Sequence, residues 1–318
     1  MNLLDEIGDY INRKIAEIPY PAQPTGLYEP IKYTLEGGGK RLRPTLLLLA
    51  CHTFCGDYSR ATSQALGIEM YHNFTLLHDD VMDKSEVRRG RPTVHRRWNE
   101  STAILSGDAM LTMANQLIVE DAGDKALLIN KLFNRMAMEV YEGQQYDMDF
   151  ENRDDVSLDE YLEMIRLKTS VLLGAACEIG AIMGGASADN AARLRSMAIN
   201  MGIAFQLQDD YLDTFGDPAT FGKRIGGDIL NAKKTALLIT ATQRDPQLIN
   251  IVNGDLPDDE KIRTVRERYN STGATNYCRQ LINDYSEKAF SILRDLPISD
   301  EAKAIFGKII EKSAVRSA

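Results

Sequence analysis

The sequence predicts an all-α protein, and three observations carry that prediction. Prolines are sparse, ten in 318 residues, and they cluster where helices would break, at Pro21, Pro24, Pro30, Pro44, Pro92, Pro218, Pro246, Pro257 and Pro297. Between them run long windows with apolar residues three or four apart, the period of one helix face. No run alternates β-branched and polar residues, and no Asn-Gly pair joins two such runs into a hairpin. At a mean helix length of ~11–12 residues the chain has room for ten or more helices. No low-complexity linker or fixed-period repeat divides it, so residues 1–318 read as a single domain.

The elements follow in order. The N-terminus, Met1 to Asp9, is acidic and lacks the basic start and apolar run of a secretory signal. Gly37-Gly38-Gly39-Lys40-Arg41-Leu42-Arg43-Pro44 is a glycine-rich turn entering an apolar helix. Its glycines let backbone approach an anion, and its spacing fits neither a Walker loop nor a dinucleotide fingerprint. Leu66 to Leu77 forms a helix ending in His78-Asp79-Asp80-Val81-Met82-Asp83, followed by the breaker Arg88-Arg89-Gly90-Arg91-Pro92. Tyr161, Leu162, Met164, Ile165 and Leu167 mark a further helix, which runs into Lys168-Thr169. Val171 to Ala188 is barely long enough to span a membrane and carries Glu178 at its middle, so it reads as a buried helix. A helix through Leu194, Met197, Ala198 and Met201 leads to Gln208-Asp209-Asp210-Tyr211-Leu212-Asp213 and the breaker Phe215-Gly216-Asp217-Pro218. Lys223 and Lys233-Lys234-Thr235 follow. Residues 241–318 read as helical with mixed charge and carry no assigned chemistry.

Two segments read Asp-Asp-x-x-Asp. With 27 aspartates, chance predicts roughly 0.2 such motifs. Both lie near a helix C-terminus, where a carboxylate opposes the helix dipole at ~0.3–1 kcal/mol each. A sequence selected for stability alone places Lys or Arg there, so a cation compensates. The oxygen donors suit Mg²⁺, which shares carboxylates with substrate phosphates. No His/Cys set completes a zinc site around Cys51 and Cys55, and the four cysteines make no disulfide framework; a reducing, cytoplasmic setting is expected. The net charge of −9 argues against nucleic acid as a partner. Apolar residues at 44% and charged residues at 26% are those of a folded globular chain. Two acidic clusters with several basic loops suit two polyanions. A diphosphate leaves readily when its growing charge meets Mg²⁺ and Lys/Arg donors, and the allylic cation it leaves needs a dry apolar cleft.

At this point the chain resembles the trans-isoprenyl diphosphate synthases (polyprenyl synthetases). The resemblance rests on GGGKRLRP at 37–44, His72, DDVMD at 79–83, RRGRPT at 88–93, GD at 107–108, KT at 168–169, QLQDDYLD at 206–213 and FGKRIGGDILNAKKT at 221–235. It implies a helical bundle around a deep apolar cleft, a homodimer, and head-to-tail condensation of an allylic diphosphate with isopentenyl diphosphate. Position by position, it implies that Lys40, Arg43, His72 and Arg89 bind isopentenyl diphosphate. Asp79, Asp80 and Asp83 would form the first Mg²⁺ site. Asp209, with Asp210 and Asp213 supporting, would form the second, for about three Mg²⁺ ions once a diphosphate is bound. Arg88, Lys168, Lys223 and Lys233 would hold the allylic diphosphate. Thr169 and Gln206 would face the carbocation; Gln206, Asp209, Asp210 and Asp213 share one helix face.

In that family the helix before the first motif limits product length. At ~100° per residue, Thr75 stands about 40° from Asp79, Tyr71 about 80° and Phe74 about 140°. Geometry places Thr75 and Tyr71 toward the cleft and leaves Phe74 open between core and pocket floor; the resemblance makes it the floor. An aromatic floor implies a short product, geranylgeranyl (C20) or farnesyl (C15) diphosphate. Two other readings share parts of this pattern. A class I terpene cyclase needs no second diphosphate site. A non-catalytic subunit of a heteromeric synthase generally loses one Asp motif.

Overall fold

In the computed structural model, which describes residues 2–217 and 225–314, the chain is all-α apart from one short hairpin. The residues fall into two compact units, Met1–Arg135 with Ala175–Ala192, and Met136–Gly174 with Arg193–Ala318. The boundaries fall inside helices rather than in linkers.

The first unit holds α1 (Leu3–Ala16), α2 (Thr25–Glu36), α3 (Leu42–Cys55), α4 (Thr62–Met82), α5 (Val94–Arg97), α6 (Glu100–Val119) and the start of α7 (Ala126–Glu151). Each begins or buries for a local reason. Asn2 caps α1 by accepting the Asp5 N–H at 3.0 Å. Ile7, Ile11 and Ile15, four apart, form its buried stripe. α3 carries Leu46 to Cys51, all buried, with no polar face to solvent along that stretch. The second half of α9 (Val171–Met183), from Ala175 onward, belongs to this unit, and the glycines at its end allow close packing. A side chain at Gly180 would collide with the Leu47 carbonyl of α3, and one at Gly184 with that of Cys51. The apolar stretch from Val171 is therefore a buried helix as expected. Among the described residues no helix is long and apolar enough to cross a membrane.

Two readings are corrected. Pro30 lies inside α2 rather than at a break, and the helix continues with one backbone hydrogen bond fewer. Pro44 sits in the first turn of α3, where its missing N–H has no helical partner to lose. The segment after the first Asp cluster is not merely a breaker. Val87–Arg88 pairs antiparallel with Arg91–Pro92, joined by Arg89 at φ 52° and Gly90 at φ 73°. Two positive φ values make the turn that matches strand twist. An arginine at the first position hides that turn from a search for Asn-Gly or Asp-Gly.

The second unit holds the rest of α7, α8 (Leu158–Ile165), a π-helical turn (Arg166–Ser170), the start of α9, α10 (Ala188–Phe215), α11 (Gly227–Leu230), α12 (Ala236–Arg244), α13 (Leu248–Val252), α14 (Asp258–Ser271), α15 (Ala274–Asp295) and α16 (Asp300–Ala314). A reciprocal capping box, Ser157 with Glu160, starts α8. Leu207 of α10, Leu237 of α12, Leu248 of α13 and Val265 of α14 have no exposed surface and form its apolar centre.

One buried ion pair ties the first unit together around the glycine-rich turn. Gly38 and Gly39 have positive φ, and Arg41 follows in the left-handed region at φ 47° as the N-cap of α3. From there Arg41 Nη1 donates to Glu69 Oε1 of α4 at 2.5 Å, Nη2 to the Leu35 carbonyl of α2 at 2.5 Å, and Nε to Asn12 Oδ1 of α1 at 3.3 Å. Asn73 Nδ2 donates to the same Glu69 oxygen at 2.9 Å. Side-chain exposures of 5% and 3% leave neither charge to water. Removing one partner strands the other. Arg41→Met should therefore cost about 3–5 kcal/mol in urea unfolding; a loss below about 1 kcal/mol would mean that the pair does not brace the loop.

Candidate active site

The first unit gathers cations around the end of α4. Arg43 Nη1 lies 3.1 Å from His72 Nε2. A guanidinium only donates, so Nε2 is the acceptor and a neutral His72 carries its proton on Nδ1. Desolvation, then Arg43, Arg89 and Arg88 around it, holds His72 well below the usual histidine range, so the ring is neutral. Desolvation and the nearby Arg89 pull Arg43 down to about 10 against the opposing Glu69 charge. Arg89 folds back over the glycine turn and donates to the Gly38 carbonyl. A side chain at Gly39 would stand 2.8 Å from Arg89 Cζ, so this turn requires glycine. The hairpin, the turn and α4 enclose a pocket lined by Tyr33, Asn73, Leu76, Leu77, Asp80, Arg88 and Arg89 among others, with about 400 Å³ of empty space.

The carboxylates there divide their work. Asp79 is half-buried in the last turn of α4, and Asp83 is its exposed C-cap, with its N–H on the Asp79 carbonyl at 2.8 Å. Asp80 is buried and accepts from Arg88 Nε at 2.8 Å. Burial raises its pKa against the pull of Arg88. Asp80 and Arg88 are thus bonded to each other across the pocket wall. Behind the cluster lies an aromatic pile. Tyr71 has no exposed surface and sits 5.3 Å from Phe133 and 5.6 Å from Phe74, ring to ring; Phe74 in turn meets His78 at 4.7 Å. Gly107 leaves room for the His78 ring, whose Nε2 reaches the Ile104 carbonyl at 3.2 Å. Thr75 is half-buried, and its hydroxyl donates to the His72 carbonyl at 2.8 Å.

The second unit brings together the other set in a pocket of about 790 Å³ empty volume, lined by Asp147, Lys168, Thr169, Gln206, Asp209, Asp210, Asp213, Asp228 and Lys233, with Tyr161 and Met164 on its wall. Lys168 and Thr169 stand on the π-helical turn, a widened turn of the kind found at functional sites. Two glycines make space for it. A side chain at Gly143 of α7 would strike the Lys168 backbone N, and one at Gly202 of α10 would strike Ser170. Lys168 Nζ pairs with Asp147 Oδ2 at 2.5 Å, both side chains partly buried. Lys168 and then Lys233 overcome the burial of Asp147 and keep its carboxyl below the usual range. Thr169 Oγ1 donates to Gln206 Oε1 at 3.3 Å, and Gln206 Nε2 donates to Asp210 Oδ1 at 2.9 Å. The Tyr161 hydroxyl donates to the other Asp210 oxygen. Asp213 accepts the Asp228 N–H at 2.8 Å and so anchors α11. Lys223 lies outside the described residues.

Aspartates crowd this pocket. Burial, then Asp210 and Asp213, pushes Asp228 up to about 8, with Lys233 opposing; burial first pushes Asp210 up to about 6 against its two donors. Among the described residues no three acidic, His or Cys side chains in either unit converge to cage an ion by themselves. Asp147, Tyr161 and Asp228 were not among the site residues expected from the sequence. Asp228 left one signal, as the only acid in the basic run 221–235. Asp147 and Tyr161 left none, because their partners lie 21 and 49 residues away.

Comparison with known proteins agrees with this geometry. A family model described as polyprenyl synthetase matches residues 24–269. The chain is 37% identical over 305 residues to the geranylgeranyl diphosphate synthase of Methanosarcina mazei, covering 93% of this chain and 94% of that one. It is 39% identical over 295 residues to the geranylgeranyl pyrophosphate synthase of Geoglobus acetivorans, covering 92% and 91%. Among solved structures, a crystal structure of a geranylgeranyl pyrophosphate synthase superposes with a TM-score of 0.95 at 41% identity, over 100% of both chains.

The crowded carboxylates give a pH-dependent expectation. Asp228 is raised in the folded state, so metal-free protein binds more protons than the unfolded chain, and its stability falls as pH rises from ~4 through 8. In the presence of a chelator, Asp228→Asn should flatten that decline and match or exceed the wild-type melting temperature at pH 8. A variant that melts well below wild type there would contradict the crowding account.

Proposed function

We propose that this chain, which belongs to the polyprenyl synthetase family and is a short-chain prenyltransferase, uses its two sets of charged groups to hold two diphosphates of one condensation. The observation that carries the assignment is the pairing in each unit of buried or half-buried cations with aspartates that lack a complete cage of their own. Lys40, Arg43, Arg89 and neutral His72, with its Nδ1–H free to donate once Arg43 holds Nε2, take isopentenyl diphosphate. Arg88, Lys168, Lys223 and Lys233 take the diphosphate of the allylic substrate. Mg²⁺ would be held by Asp79 and Asp83 at the end of α4 and by Asp209 on α10, and when bound it supplies positive charge against the leaving group.

The chemistry then follows. The allylic C1–O bond breaks and its electrons leave with the diphosphate. Lys168 and Lys233 stabilise that growing charge. The double bond of isopentenyl diphosphate attacks C1, and a proton leaves its C2 for an oxygen of the released diphosphate. The amide oxygen of Gln206 and the hydroxyl of Thr169 present the negative ends of their dipoles to the transient cation. Phe74 ends the growing chain. We assign geranylgeranyl diphosphate as the product on the strength of one aromatic at the floor with threonine beside it.

A homodimer is also proposed. Ile104 and Leu105 on α6, and Leu127 and Leu128 on α7, are 47–67% exposed, apolar side chains that a second copy would cover. Sedimentation at micromolar concentration should show a dimer; a monomer alone would reject this.

The main experiment incubates the chain with Mg²⁺, isopentenyl diphosphate and, separately, the C5, C10 and C15 allylic diphosphates, and sizes the products by mass spectrometry. A C20 endpoint from each starter is expected, lengthening in Phe74→Ala. A C15 stop with the C15 starter inert would reassign the floor. Loss of allylic diphosphate without consumption of isopentenyl diphosphate would point to a cyclase.

A further inference from the structure

Tyr161 is 1% exposed and holds one end of a hydrogen-bonded chain that runs through Asp210 and Gln206 and finishes at Thr169. Its hydroxyl donates to Asp210 Oδ2. Asp210 Oδ1 takes the Gln206 Nε2 donor at 2.9 Å, one helical turn back along α10. An amide has one donating end and one accepting end. With Nε2 committed to the carboxylate, Oε1 must point the other way, toward the Thr169 hydroxyl at 3.3 Å.

We propose that Tyr161 is a positioning residue: by pinning the Asp210 carboxylate it fixes which end of the Gln206 amide, and with it which face of Thr169, meets the carbocation. The inference rests on the condensation reading above. An amide turned end for end would present its positive N–H end to a cation in a poorly solvated pocket. Asp210 alone could keep Gln206 in place only while its own carboxylate stays still. Freed of the phenol, that carboxylate can swing toward Lys233, whose charge it already feels. The π-helical turn is part of the same device. On an unbroken α-helix Tyr161 and Thr169, eight residues apart, would stand about 80° apart around the axis. The wider turn between them, at Arg166–Ser170, reduces that rotation and lets one helical segment supply both ends of the chain.

The test uses the full chain with farnesyl diphosphate, isopentenyl diphosphate and Mg²⁺. It compares wild type, Tyr161→Phe and Tyr161→p-aminophenylalanine, the last a weaker donor of the same shape. kcat, both KM values and the ratio of farnesol to condensed product are measured where circular dichroism shows each protein folded. The expected order of kcat is tyrosine, then aminophenylalanine about 3-fold lower, then phenylalanine about 10-fold lower. Both KM values should stay within about 3-fold, and the farnesol fraction should rise in the same order. If phenylalanine does not fold, the tyrosine-to-aminophenylalanine step decides alone. A double-mutant cycle separates positioning from packing: in a Gln206→Leu background, Tyr161→Phe should change kcat less than 3-fold. Equal kcat and equal farnesol fraction across the folded Tyr161 variants, or the same loss in both backgrounds, would overturn the proposal. Failure of the wild type to consume isopentenyl diphosphate with any of the C5, C10 and C15 starters would instead reject the condensation itself.

Discussion

The buried pair of Arg41 and Glu69 is the constraint on which the geometry of the glycine-rich turn depends. Burying two charges is expensive, and the attraction between them offsets that expense only when every remaining donor and acceptor is filled. Here the filling draws in Asn12, the Leu35 carbonyl and Asn73, so three neighbouring helices are tied to the first residue of a fourth. The glycine-rich turn then has one path between α2 and α3. Arg43, two residues further on, is delivered beside His72, and Arg89 closes over Gly38 and Gly39. A single left-handed arginine thus braces the turn between Lys40 and Arg43.

The second unit solves a different electrostatic problem. It concentrates Asp209, Asp210, Asp213 and Asp228 in one pocket with Lys168 and Lys233. Tyr161 and Gln206 donate to Asp210, the α11 backbone donates to Asp213, and Lys168 answers Asp147 rather than the cluster. Burial first, and then Asp210 and Asp213, raises Asp228. A site that is strained when empty gains most when a cation and its phosphate arrive, and this is how a pocket of like charges becomes a binding site.

Much of this was legible along the chain because it is local. Helical period, the two Asp-Asp-x-x-Asp clusters and their place at helix ends are properties of neighbouring residues, and both helices end within a turn or so of their clusters. The basic runs were legible for the same reason. Three features were not. Arg89 occupies a turn position where glycine or asparagine is the usual signal. The π-helical turn at Lys168 is enforced by glycines at 143 and 202, on other helices. Proline as a breaker misled at Pro30, because tertiary packing outweighs one missing hydrogen bond.

The sequence by itself determined the fold class and the chemical types available: oxygen donors in two sets, guanidinium and ammonium groups near each, and apolar helices to carry them. Periodicity and composition suffice for that, since both act over a few residues. Which arginine braces and which binds, which aspartate is held by neighbours and which faces outward, and which way the Gln206 amide points were decided only by tertiary structure. Those choices turn on distances of about 3 Å between groups tens of residues apart in sequence, and on the desolvation that only a packed interior imposes.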